Sequence, residues 1–210
     1  MTLRRETGYP LITCRQALQA SNYDVEKAKE HLLEVAREKG WNTMQSGRQE
    51  LTQGLVSAVI QKNIGLIIEV NCETDFVAKT KDFQNLVKAS AQAVLDASSS
   101  LKEAGKVELD SARLLKMEIP GKQQNLEDLV ALAIGKLKEK IMIRRATMIY
   151  ADSPSFLSSY IHPSVLMSST RPGTLGSYAS IVSLSPLTAC STSGRKLSGR
   201  DIAQHIDGMK

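Results

Sequence analysis

The sequence predicts an α+β protein, a small helical module followed by a region of antiparallel strands and helices. Two observations carry this. Over the first 40 residues apolar side chains recur at three- and four-residue spacing, the pattern of a buried helical stripe. The pattern then changes to short, continuous apolar runs on either side of a turn at 62–65, as paired strands require, with helical patterns in separate blocks afterwards.

Residues 1–40 read as three helices. Ala20-Ser21-Asn22-Tyr23 is the turn between the last two, and Thr13 with Gln16 has the spacing of a capping box for the second. Asp24 is positioned to cap the third, whose Val25, Ala28, Leu32, Val35 and Ala36 form one stripe, and Gly40 supplies a C-terminal stop. The module is expected over 1–42 and a polar connector over 43–53. The first half of the core (54–140) opens with Leu55, Val56, Ala58, Val59 and Ile60 as one strand. A hairpin turn at Lys62-Asn63-Ile64-Gly65 leads to a second strand, Leu66 to Cys72. A helix follows from near Thr80, with Phe83, Leu86, Val87, Ala91, Val94 and Leu95 on one side, and 99–124 reads as a looser charged stretch. Asn125 caps the next helix, whose Glu127 and Asp128 suit the positive helix end, while Leu129, Val130, Ala133 and Leu137 face inward.

The second half (141–210) begins with strand-like residues from Ile141 to Tyr150. Beyond Ser153 the composition turns to Ser, Pro and Thr, with strand-like pieces at Phe156 to Ile161 and Tyr178 to Leu184. Ser198 and Asp201 then make a capping box for a helix through Ile206. No repeat of fixed period is visible, although a hairpin-plus-helix theme has room to occur twice.

With 210 residues, 42% of them hydrophobic, the chain can bury a core in one medium or two small domains, which excludes full disorder. The net charge of +5 is spread thinly, without the basic arm, helix or face on which a phosphate-driven nucleic-acid binder concentrates Lys and Arg. Cys14, Cys72 and Cys190 are odd in number and far apart, arguing for a reducing compartment over a disulfide framework. No run approaches the roughly 18 apolar residues of a membrane span. The opening Met-Thr-Leu-Arg-Arg-Glu has neither signal-peptide nor transit-peptide character.

Catalytic signals are weak. The sequence has no Walker-type phosphate loop, dinucleotide glycine fingerprint or Gly-x-Ser-x-Gly elbow, and His31, His162 and His205 lie on no paired-ligand spacing. Cys72 with His162 is conceivable as a nucleophile pair, but a buried structural cysteine at a strand end is the commoner case. The most informative segment is Glu69-Val70-Asn71-Cys72-Glu73-Thr74-Asp75-Phe76-Val77-Ala78-Lys79, where a buried strand runs into a polar turn carrying one large aromatic. Phe76 either protrudes beside Asp75 as an anchor for a partner, or folds into the core while Asp75 caps the following turn. Composition favours the second. Leu11-Ile12 pose the same choice, and a hydrophobic staple into the module's own core is the commoner fate.

These residues resemble the translation elongation factor Ts family. Leu3-Arg4-Arg5-Glu6-Thr7-Gly8 through Asp24-Val25-Glu26-Lys27-Ala28 is similar to that family's ubiquitin-associated-type N-terminal module, and Ile68 to Lys79 resembles its signature almost residue for residue. Weaker echoes are Ile141-Met142-Ile143-Arg144-Arg145, Ser159-Tyr160-Ile161-His162 and Ile202-Ala203-Gln204-His205-Ile206. The resemblance implies a core of two similar halves and a guanine-nucleotide exchange factor for the GTPase elongation factor Tu, working without catalytic residues, cofactor or metal. It implies no direct nucleic-acid, membrane or small-molecule partner. By the same resemblance Asp75 and Phe76, with Thr74 and Val77 beside them, insert next to the GTPase's magnesium site. Leu11 and Ile12 touch its GTPase domain, and His162 touches another domain.

The family likeness also suggests the mitochondrial matrix, with a bacterial cytoplasm or plastid as the alternative. Two departures stand out. The second-half motif reads Ser158-Ser159-Tyr160-Ile161-His162-Pro163, with Ser and Pro where the family commonly has Gly, and the chain stops at Lys210, before the family's closing helix and strand. The second half is accordingly expected to be incomplete and the sheet edge unpaired, with impaired stability. The competing function is a non-exchanging protein-binding module.

Overall fold

The computed structural model describes residues 2–45, 50–98, 105–162 and 175–185, together with 202 and 205. Helices α1 (Thr2–Thr7), α2 (Leu11–Ala20) and α3 (Val25–Gln45) form the N-terminal module around Leu3, Tyr9, Cys14, Ala17, Ala28, Leu32 and Ala36. Thr13 does not cap α2. The helix starts two residues earlier, after Pro10, whose extended backbone ends the preceding loop and whose carbonyl accepts from the Cys14 N–H at 3.0 Å. That shift places Leu11 and Ile12 in the first helical turn. Asp24 caps α3 as expected, accepting from the Glu26 and Lys27 N–H groups at 3.0 and 3.2 Å.

Gly40 does not stop α3, which runs on to Gln45. A Cβ at Gly40 would collide with the backbone of Ala131 in α7 (Leu126–Leu137), and one at Gly135 would sit 2.7 Å from the Ala36 Cβ. The glycine therefore serves close approach of two helices rather than termination. Around this crossing Tyr9 Oη donates to the Leu132 carbonyl at 3.2 Å and Arg37 Nε lies 3.6 Å from Asp128. The module is thereby packed onto the core.

The core is an antiparallel sheet in the order β3-β4-β2-β1-β6, where β1 is Gln53–Gln61, β2 Ile64–Cys72, β3 Gly105–Asp110, β4 Ile141–Tyr150 and β6 Leu175–Gly176. A second sheet pairs β5 (Phe156–His162) with β7 (Tyr178–Leu184) from Phe156↔Leu184 to His162↔Tyr178; the two strands were expected, their pairing with each other was not. Along β2, Leu66, Ile68, Val70 and Cys72 are fully buried and join the core cluster. That cluster also holds Phe83, Val87, Ala91 and Val94 of α5 (Lys81–Ser98) and Val130 and Ile134 of α7. Ile67 and Glu69 take the opposite face, over a cleft shared with β7.

On β4 the buried residues change phase, Ile141 and Ile143 before Ala146, Met148 and Tyr150. The register shift opposite Glu69/Val70 absorbs the change, so both runs face the core.

Three expectations are corrected here. The stretch 99–124 contains β3 and the short helix α6 (Ser111–Leu115), capped by Asp110, which accepts from the Arg113 N–H at 2.8 Å. An edge strand with Leu109 as its one buried residue carries no alternation to read. Secondly, the boundary at 140/141 divides no structural unit, because β4 lies between β2 and β3 in one continuous sheet. Thirdly, between β2 and α5 stands an additional turn of helix, α4 (Asp75–Ala78). The capping box at Ser198/Asp201 and Cys190 lie outside the described residues. Among the described residues no helix is long and apolar enough to cross a membrane.

Replacing glycine by alanine inside a helix ordinarily stabilises by up to about 1 kcal/mol. At position 40 the collision with Ala131 reverses the sign. Gly40→Ala is expected to cost about 2 kcal/mol and to lower the thermal midpoint by roughly 5 °C; an unchanged or raised midpoint in a thermal melt would contradict the close crossing.

Candidate functional site

The segment after β2 is built from its cap outward. Thr74 has extended backbone, and its Oγ1 accepts from the Val77 N–H at 3.3 Å, which starts α4. The same hydroxyl donates to both Glu139 carboxylate oxygens at 2.8 and 3.0 Å, and the Thr74 N–H donates to Glu139 Oε2 at 3.1 Å. A carboxylate 65 residues along the chain, just past α7, thus clamps the base of the turn through charge-assisted hydrogen bonds.

Val77 and Ala78 are buried in the core, which fixes which way the single turn of α4 faces. Phe76, next to Val77, is consequently turned out and is 75% exposed. The composition-favoured reading of Phe76 as core is overturned, since Val77, Ala78 and Phe83 occupy the inward positions there. Asp75 is likewise not the cap; Thr74 is. Lys79 Nζ holds Asp75 Oδ2 at 2.7 Å and stands 5.5 Å from the Phe76 ring centroid. The hydrogen bond from Lys79 keeps the Asp75 carboxyl below its ordinary range, so at neutral pH it is a carboxylate. Thr80 caps α5 by accepting from the Phe83 N–H at 3.2 Å, so two helix starts bracket the tip.

The N-terminal module offers a second apolar feature. Leu11 is half exposed and Ile12 73% exposed on the first turn of α2, so neither acts as a staple into the module's core. Leu11, Leu18 and the exposed Tyr23 border a cavity of about 220 Å³. Lys136 on α7 passes over Gly8, where a Cβ would come within 2.8 Å of its Cε, and pairs with Asp82 in the first turn of α5 at 2.7 Å. One helix, α7, therefore ties the module to the element that follows the tip. His162 belongs to neither feature; it ends β5 on the second sheet, with its ring 6.4 Å from that of Tyr178 and 6.5 Å from that of Tyr160.

Cys72 has the wrong environment for a nucleophile. It is fully buried and its thiol donates to the Thr74 carbonyl at 3.2 Å. Burial, then the nearby Glu139 carboxylate, pushes its pKa up to about 12. Among the described residues no group of three or more His, Cys, Asp or Glu is arranged to hold a metal ion. What the arrangement can do is present an aromatic and a carboxylate in a fixed pose to another protein.

Sequence reasoning missed Glu139 and the part played by Lys79. Lys79 follows Asp75 at the helical i,i+4 spacing, a signal that becomes readable once α4 is recognised. Glu139 leaves no local signal at all.

Residues 73–210 match the family model described as Elongation factor TS, and residues 1–42 match the one described as Elongation factor Ts, mitochondrial, N-terminal. The human protein named elongation factor Ts, mitochondrial, is 33% identical over 219 residues, covering 100% of this chain and 66% of its own length. The proteins of the same name from Aedes aegypti and Salmo salar are 34% and 36% identical, covering 100% and 99% of this chain and 68% and 67% of their own lengths. The chain thus spans about two thirds of the length of these relatives. Matched in order through both the helical module and the core, the chain belongs to the elongation factor Ts family.

Proposed function

We propose that this protein is a guanine-nucleotide exchange factor that binds elongation factor Tu in the mitochondrial matrix and promotes GDP release so that GTP can bind. The observation that carries the reading is the clamped, outward-facing Phe76 with Asp75 beside it. Leaving a phenylalanine in water forgoes about 2–3 kcal/mol of burial, and an exposed large apolar group held in one pose is the form an interface anchor takes. Asp75 and Phe76 wedge beside the GTPase's magnesium site and disturb its phosphate-binding loop, so GDP loses contacts and leaves. By linkage, a protein that prefers the nucleotide-free GTPase weakens nucleotide binding, and nucleotide weakens its binding by the same factor, so GTP entry releases it. Such work calls for anchors rather than acids, bases or nucleophiles. Leu11 and Ile12 provide a second contact and His162 a third.

The mitochondrial assignment follows the matched N-terminal family and the mitochondrial relatives. A second reading, a non-exchanging binding module, draws on the apolar patch of Leu11, Ile12 and Tyr23, which can hold a partner without the tip.

Release of labelled GDP from elongation factor Tu is expected to accelerate with the intact protein. Phe76→Ala should lose at least about tenfold of that acceleration at an unchanged thermal midpoint, because the ring is exposed, and Asp75→Ala most of it. Unchanged release with the intact protein would sink the exchange reading, and full binding without acceleration would favour the second one.

Glu139→Gln keeps the shape but weakens the charge-assisted clamp on Thr74. Exchange should fall by about three- to tenfold, in line with the ~1 kcal/mol typical of a lost helix cap. Activity equal to the unmodified protein would show that the clamp is dispensable.

Cys72 should resist alkylation by iodoacetamide at neutral pH in the folded protein and react only on unfolding, as mass spectrometry of the modified peptide would reveal. Rapid modification of the native thiol would reopen an enzymatic role.

A further inference from the structure

The turn between α2 and α3 carries two successive residues in the left-handed region, Asn22 with φ of 50° and Tyr23 with φ of 64°. The first has an ordinary reason. Ser21 is the C-cap of α2, and the Tyr23 N–H donates to the Leu18 carbonyl at 2.7 Å, which is the hydrogen bond of a Schellman closure with Asn22 as its left-handed residue. The second has none, because that closure calls for a single left-handed residue. For a bulky side chain the conformation is disfavoured by crowding of its Cβ against the following carbonyl. Among the described residues Tyr23 is the one aromatic with positive φ.

What the strained backbone delivers is a ring in water. An apolar contact between Tyr23 and Leu18 commonly accompanies a closure of this kind, yet a contact that leaves Tyr23 71% exposed uses little of the ring. Packing within the module therefore does not repay the strain. Residues held in disfavoured backbone regions cluster at binding and switch sites, so the outlier points outward to a partner.

The surroundings say where that partner sits. Leu11, Cys14, Arg15 and Leu18 follow one another at i, i+3, i+4 and i+7, so the cavity they share with Tyr23 runs along one stripe of α2 for about 10 Å. Leu11, half exposed, stands at one end and Tyr23 at the other, over a floor of buried Leu3 and Cys14. A typical partner footprint of about 800 Å² is roughly 30 Å across, so a protein seated on Leu11 and Ile12 reaches Tyr23 as well.

We propose that Tyr23 is a further anchor for the GTPase, extending the Leu11-Ile12 contact along α2 and held outward at the expense of the module's own stability. The assignment rests on the reading that the GTPase meets Leu11 and Ile12. Tyrosine suits the task, since it presents a large rigid apolar body with few rotatable bonds and is enriched among residues that dominate interfaces.

The test sets the intact protein beside Tyr23→Gly and Tyr23→Asn, whose new side chains accept left-handed backbone, and Tyr23→Phe, which keeps the ring. Thermal midpoints of the first two are expected to be no lower than that of the intact protein, because the strain leaves with the ring. Their equilibrium binding to elongation factor Tu should nevertheless be about five- to tenfold weaker, while Tyr23→Phe stays within about twofold. In GDP release, the concentration giving half-maximal acceleration should rise by the same factor and the maximum be retained, since the Asp75-Phe76 tip is unaltered. Weaker binding that comes with a fallen midpoint would assign Tyr23 to closing the helix end and overturn the anchor. Equal binding by the glycine and asparagine variants overturns it as well and leaves the exchange reading standing, whereas absence of binding by the intact protein overturns both. Sedimentation of the protein alone should be unchanged by Tyr23→Gly; a dimer that the variant dissolves would give this surface to a second copy of the chain and overturn its assignment to the GTPase.

Discussion

The backbone-to-backbone approach of α3 and α7 is the constraint on which the rest of the arrangement depends. Gly40 against Ala131 and Gly135 against Ala36 leave no room for even one additional methyl group on the glycine side. A crossing this close is insensitive to side-chain rotamers, so it fixes the N-terminal module relative to the sheet more tightly than apolar burial alone would. Tyr9 donating to the Leu132 carbonyl and Lys136 crossing over Gly8 are consequences, since both require the module to sit where the crossing puts it.

From α7 the framework extends in two directions. Lys136 pairs with the first turn of α5, and Glu139, just past the helix end, clamps Thr74, so the tip is held from the helix after it and from its own cap. Neither contact is strong alone. A partly exposed ion pair contributes little, and a helix cap about 1 kcal/mol. Their value lies in preorganisation, because an anchor already held in its bound pose loses less side-chain entropy on association. Packing far from the tip thereby becomes part of how the tip works.

Much of this fold was legible because it rests on local patterns. The β1–β2 hairpin, the Asn125 and Asp24 caps, β4 and the two strand-like pieces in the Ser-rich region, though not their pairing, all follow from periodicity and short-range chemistry. What escaped depended on distant partners. Gly40 reads as a helix stop until Ala131 is known to lie against it, and β3 reads as loop because an edge strand with one buried side chain shows no alternation. Phe76 was misread from composition, which favoured the core, since the competition for the inward face was settled by Val77 and Ala78 one and two residues on. The resemblance to a family pointed at Thr74 and Val77 together with Asp75 and Phe76, but the geometry separates their work. Val77 is buried and Thr74 is engaged by Glu139, so these two position the pair that faces outward.

Within that pair the two residues have unequal tasks. Asp75 already has a partner in Lys79, and both are solvent-exposed, so any new contact made by the carboxylate replaces an existing one and the net gain is small. Phe76 has no such trade to make, because its ring is mostly in water and every apolar surface it meets adds about 25 cal/mol per Å² buried. In the proposed interface, affinity therefore comes mainly from the ring, and direction from the carboxylate, whose charge repels anionic groups and recruits cationic ones. Because Lys79 serves both, bonding the carboxylate and lying over the ring, the release of one is coupled to the movement of the other. In the proposed exchange role, the burial of one aromatic is what places one negative charge beside a bound nucleotide's phosphates and magnesium.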